Sequence, residues 1–102
     1  MSKARFDFNT MYETVAASQT DQVLGATGRT GNILERLIIT VATSATSTVS
    51  IKDGSGSAIP IVAANTPIGV YELDIGAASV AGAWKVTTGA GATVVAVGLF
   101  RD

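Results

Sequence analysis

The sequence predicts an all-β protein, folded as a single-domain antiparallel β-sandwich of about eight short strands. Three observations predict this fold class. The chain has 102 residues, the length of one domain with a core of its own. Apolar and polar residues alternate over short stretches, which is the period of a half-buried strand. Gly, Asn and Ser separate these stretches, as is typical of the turns in antiparallel sheets.

The first half of the chain contains three predicted strands. Two weak ones cover residues 14–18 and 22–24. The third covers residues 34–41, where Leu37 and Ile39 share one face with Val41 and the other face is mostly polar. Ile38 interrupts that polar face.

The second half begins with a strand at residues 49–52 that ends at Asp53-Gly54, a pair typical of a tight hairpin turn. Pro60, in the returning strand, has no N–H to donate to a ladder, so it marks an edge or a bulge. The remaining predicted strands cover residues 70–75, 84–87 and 93–100. Strands at this spacing suit either an immunoglobulin-like order or a jelly roll, and the chain order alone does not choose between them.

The composition argues against an enzyme. There is no His and no Cys, so there is no imidazole base, no thiol nucleophile, no disulfide and no zinc site of the usual kind. We expect no cofactor and no metal. The net charge of −1 and the lack of a long apolar run predict neither a nucleic-acid partner nor a membrane partner.

Several short stretches match known binding or catalytic motifs only in part. The Gly-rich stretch 25–31 lacks the order of a phosphate-binding loop and predicts a surface loop, with Arg29 available for a polar contact. Residues 53–57 contain one carboxylate and no bidentate Glu follows them, so a hairpin turn is favoured over a calcium loop. Glu72 and Asp74 lie on one strand face, as paired acids would, but a solvated face is the simpler interpretation. Trp84 is predicted to anchor the core rather than to stack on a sugar.

The segment Val94–Phe100 is apolar on both faces, whereas a sandwich has one core to cover one face. A second copy of the chain could cover the other face, which predicts a homo-oligomer. The alternative is cover by the chain's own N-terminal segment. Candidate interface residues on this strand are Val94, Ala96 and Phe100.

An N-terminal arm of residues 1–12 precedes the sandwich domain of residues 13–102. Phe6 and Phe8 alternate with polar residues, so the arm can act as an extended strand with two aromatic anchors. Whether it pairs with its own domain or with a neighbour stays open. The interface candidates in the arm are Arg5, Phe6, Phe8 and Tyr12.

Three stretches, at residues 15–25, 50–59 and 82–91, resemble segments of small virion structural proteins of tailed bacteriophages. The resemblance spans most of residues 15–98 and brings no catalytic residue. A likeness to head decoration (cement) proteins rests on the small size and the all-β character of the chain. That likeness implies a sandwich, often jelly-roll-like, that assembles as a trimer on the outside of a capsid and clamps neighbouring capsomers.

Two function classes follow from these observations. The first is a decoration protein on the virion capsid, made in the host cytoplasm and bound to the major capsid protein. The second is a small binding module of a tail or head fibre that recognises a host-surface glycan, for which an exposed Trp84 or Tyr71 would be the distinguishing feature.

Overall fold

The computed structural model describes residues 11–25, 27–44 and 46–100. These residues form eight β-strands and no helix. The strands are β1 (Met11–Val15), β2 (Gln22–Val23), β3 (Ile33–Val41), β4 (Val49–Asp53), β5 (Ile59–Val62), β6 (Gly69–Ala78), β7 (Trp84–Thr87) and β8 (Ala92–Leu99). The prediction of an all-β chain of about eight strands is confirmed.

The strand pairs show how the chain is folded. β1 pairs with β8, β2 with β7, β3 with β6 and β4 with β5, all antiparallel. Each pair joins strands equally far from the β4–β5 connection, so the chain is one long hairpin wrapped upon itself. The β3–β8 and β4–β7 pairs complete two four-stranded sheets. The first sheet has the order β1-β8-β3-β6 and the second β2-β7-β4-β5, which is a jelly roll.

The core lies between the two sheets. It is formed by the side chains that point inward from each strand. The buried apolar side chains are Val15, Leu24, Leu34, Leu37, Ile39, Val41, Val49, Ile51, Val62, Ala83, Trp84, Val86, Ala92, Val94, Ala96 and Phe100. Because both sheets supply these residues, neither sheet has a core of its own.

The first strand begins earlier than predicted. Met11 and Tyr12 belong to β1, where they pair with Gly98 and Val97. They are therefore part of the sandwich and not of an arm that ends at residue 12. The strand also ends earlier, because the backbone turns away from the sheet and reaches a positive φ of 62° at Ser18.

The β4–β5 connection differs from a two-residue turn. Five residues, 54–58, separate the strands. The Asp53 carboxylate accepts hydrogen bonds of 3.0 Å from the backbone N–H groups of Val80 and Ala81, in the loop between β6 and β7. Gly54 lies so close to the Ala81 carbonyl that a Cβ would collide with it. Pro60 fits its prediction: β5 is an edge strand, with a register shift between Val49 and Ser50 on the partner strand.

Candidate interaction surface

Two of the three interface candidates predicted in this segment lie on the inward face of β8, and the third, Phe100, directly follows the strand. Val94, Ala96 and Phe100 are all buried in the core of their own chain. The residues that alternate with this inward set, Val95, Val97 and Leu99, point outward and are half-buried. Both sets are apolar, so periodicity alone could not assign the face. The outward side chains of β8 are those of Thr93, Val95, Val97 and Leu99, and Val95 and Val97 lie in the middle of the strand.

The outward side of β8 lies at the centre of an apolar surface formed by Tyr12, Ile38, Val95 and Val97, called here the outer apolar patch. Tyr12 on β1 is directly opposite Val97, and Ile38 on β3 is directly opposite Val95. These four residues and Met11 line a shallow concavity of about 380 Å³. The Tyr12 side chain is 69% exposed. Residues in register across three strands thus form one continuous apolar surface.

Charged residues lie beside the patch on the β3–β6 side. Arg36 on β3 is opposite Asp74 on β6 and lies 3.8 Å from a carboxylate oxygen of Glu72. Both Arg36 and Glu72 are well exposed. The two acids thus form a solvated face next to a cation, as the simpler interpretation of the sequence predicted. These charged side chains form the boundary of the outer apolar patch on the β6 side.

The outer face of the second sheet is polar. The Lys52 ammonium lies 3.2 Å from the Asp21 carboxylate, to which the Thr87 hydroxyl donates a hydrogen bond of 3.1 Å. These hydrogen bonds, first from Lys52 and then from Thr87, hold the pKa of Asp21 below its usual value. Lys85 is opposite Lys52 on the neighbouring strand. The two outer faces therefore offer different surfaces to a partner.

Trp84 is only 5% exposed, and its indole N–H donates a 3.1 Å hydrogen bond to the Asn32 carbonyl. Its predicted core role is confirmed. Tyr71 is half-buried, and its hydroxyl donates to the Pro67 carbonyl at 2.6 Å. Neither aromatic ring is an exposed platform for a sugar.

The remaining predicted interface residues fall in two places. Arg29 is exposed in the β2–β3 loop, and its carbonyl accepts a 3.5 Å hydrogen bond from the Ser79 hydroxyl. Arg5, Phe6 and Phe8 lie outside the described residues.

Sequence reasoning missed most of the outer apolar patch. Tyr12 was named, whereas Met11, Ile38, Val95 and Val97 were not. The signal that could have found the patch is Ile38, which breaks the polar face of its strand. Its significance depends on β8 lying beside β3, a pairing that places Ile38 opposite Val95, 57 positions later in the sequence.

No group of three or more potential metal-ligating side chains occurs among residues 11–25, 27–44 and 46–100. Over the same residues, no helix has the length and apolar character to cross a membrane. No family model, curated protein or solved structure matches the chain.

Proposed function

We propose that this protein is a capsid decoration, or cement, protein of a tailed bacteriophage. It attaches to the major capsid protein on the outer surface of the head and bridges neighbouring capsomers, and it acts as a homo-oligomer, with three copies as the expected number. The observation that carries the proposal is the outer apolar patch on a small jelly roll. The resemblance of three stretches of the chain to phage virion proteins supports it.

The patch supports attachment because it is apolar, exposed and built on paired strands. The side chains that line its concavity are aliphatic apart from Tyr12. Burying such side chains against a partner releases water without requiring paired charges. Tyr12 adds an aromatic anchor of the kind that is enriched in protein interfaces. A rigid sheet holds these side chains in place, so little conformational entropy is lost on binding.

A cement function does not require each contact with the shell to be strong. A shell under internal pressure fails where its subunits separate, so a protein bound across a junction opposes that separation. Each contact can be modest, because an oligomer that binds through several copies gains avidity. Only 15% of the residues are charged, so we expect apolar contacts to dominate and binding to persist in salt.

A glycan-binding module of a fibre is the second candidate, and the exposed ring of Tyr12 is the observation in its favour. Sugar sites combine an aromatic ring with nearby hydrogen-bonding groups. Around Tyr12 the concavity is lined by Met11, Ile38, Val95 and Val97, whose side chains offer no strong hydrogen-bonding group. This lining favours a protein partner over a sugar.

The test is co-sedimentation with shells assembled from the major capsid protein of the phage that encodes this chain, prepared without the chain. We expect saturable binding that survives about 1 M salt, where charge contacts are screened within about 3 Å. Tyr12→Lys and Val97→Lys should each weaken binding at least about tenfold, since a charge placed in an apolar contact loses its water.

The matched control is Val80→Lys, which adds the same charge to a loop residue that is 80% exposed and distant in sequence from the patch. It should bind like the unmodified protein. Absence of shell binding would contradict the decoration proposal. Equal binding by all three variants would contradict the role of the outer apolar patch, and release by salt alone would contradict the apolar mechanism. Binding to host-surface polysaccharide that Tyr12→Ala abolishes would support the fibre module instead.

A further inference from the structure

The two lateral sides of the sandwich are closed to different degrees. On the β1–β2 side, the Glu13 carboxylate accepts a 2.7 Å hydrogen bond from the Gly25 N–H, and Val15 and Leu24 are fully buried. On the opposite side, β6 and β5 are the last strands of their sheets. The side that they form is called here the β5–β6 opening.

The β5–β6 opening reaches the core. A cavity of about 290 Å³ lies there, lined on its apolar side by Ile39, Ile61, Val62, Tyr71 and Leu73. The inward side chains of β6 are half-buried, whereas those of β3 and β8 beside them are fully buried. The core of the described chain is therefore incompletely covered at this side.

The free edge of β6 is a template for another strand. β6 has ten residues and pairs only with β3 among the described strands. A long strand with one unpaired side exposes a row of N–H and C=O groups that can accept a further strand. An added strand would place every second side chain over the opening.

Residues 1–10 of the chain have the pattern that this edge requires. Phe6 and Phe8 are two residues apart, so both would point into the opening when the segment is extended. Arg5, Asp7 and Asn9 would then point to the opposite face, the one on which β6 presents Glu72 and Asp74. The segment and the opening are thus complementary in apolar pattern, while the outward charges of Arg5 and Asp7 offset each other.

The segment of the same chain is too short to reach. It precedes β1, and the sheet order is β1-β8-β3-β6, so a strand beyond β6 lies four strand spacings away, or about 19 Å at about 4.8 Å each. Phe8 is three residues before Met11 and can lie at most about 11 Å from it. Phe8 could occupy the opening of another copy but not that of its own chain.

We propose that residues 4–9 of one copy lie along the free edge of β6 in a neighbouring copy, with Phe6 and Phe8 in the β5–β6 opening. Each copy then donates a strand on one side and accepts one on the other, and such a head-to-tail contact closes into a ring when the rotation permits. This contact would explain how copies of the proposed decoration protein associate with one another. The association itself does not require binding to a shell.

The experiment is sedimentation velocity combined with hydrogen exchange of the β6 amides, on the full chain and on Phe6→Ser/Phe8→Ser. The full chain should form a small closed oligomer with protected β6 amides.

The double variant should keep its far-UV spectrum, because both positions lie outside the described sandwich. Its self-association should weaken about a hundredfold or more, since two aromatic side chains lose their burial. The β6 amides should exchange at least about tenfold faster. Tyr12→Lys, on the other face, should leave association unchanged.

Dilution of the full chain distinguishes a strand donated by a neighbouring copy from one donated by the same chain. Protection of β6 that declines as the oligomer dissociates supports the proposal. Protection that is lost in the double variant but does not change on dilution would assign the contact to the same chain and overturn it. Equal association of the two proteins would overturn it as well. Because no shell is present, these outcomes are independent of the test for decoration.

Discussion

The two sheets share one core but are held together differently. The strands of the first sheet have 5 to 10 residues, whereas those of the second have 2 to 5. The short second sheet is supplemented by side-chain hydrogen bonds to distant backbone, such as those of Thr88 and Asp53. The outer face of the first sheet is apolar around Val95 and Val97 on β8 and charged around Arg36 and Glu72.

The largest expected effect tests whether the two sheets form one cooperative unit. Trp84 lies on the inner face of the second sheet, and its N–H bonds to Asn32, next to the first strand of the β3–β6 pair. Trp84→Ala should lower the free energy of unfolding by about 3–5 kcal/mol, much of the about 5–15 kcal/mol of a typical domain. Urea denaturation followed by far-UV circular dichroism should show one earlier transition. Two separate transitions would contradict a shared core.

An intermediate effect tests the side-chain links of the second sheet. Thr88 is buried, its hydroxyl donates to the Ala16 carbonyl at 2.6 Å, and it accepts from the Gln19 N–H at 3.0 Å. Thr88→Val keeps the shape but leaves both backbone groups without this partner, which should cost about 1–3 kcal/mol. Thr93→Val, an exposed position of the first sheet, should change stability by less than about 0.5 kcal/mol. Equal losses in chemical denaturation would remove the distinction between the sheets.

The smallest effect concerns the Asp21–Lys52 pair on the second sheet. The folded chain lowers the pKa of Asp21 through hydrogen bonds from Lys52 and Thr87. The ionised form is thus favoured by folding, and its contribution is complete above the unfolded pKa of about 3.9. It is lost as the pH falls through the lower folded pKa.

The measurement is the free energy of unfolding between about pH 2 and pH 6. The stability difference between the unmodified protein and Asp21→Asn should be largest near pH 6 and shrink below about pH 4. Lys52→Gln should reduce the same pH dependence, because it removes the main cause of the shift. A difference that stays constant over this range would contradict the assignment to Asp21.

Much of the fold could be predicted from the residues. The alternation at Leu37 and Ile39 and the lone Trp84 identified core positions, and Pro60 indicated an edge strand. These signals are local, since each depends on the side-chain period of a strand or on the missing N–H of proline. The β4–β5 turn was mispredicted, because Asp53 and Gly54 fit the loop at Val80 and Ala81 rather than a tight turn.

The sequence by itself determined an all-β sandwich with one core, few charges and neither His nor Cys. Only the tertiary structure decided the strand order, the face of β8 that points outward and the side of the sandwich that stays open. The reason is that alternation gives the period of a strand but not its neighbours. Val94 and Val95 are equally apolar, and Val94 is core while Val95 is surface because the second sheet, with Val49, Ile51 and Val86, packs on only one face of β8.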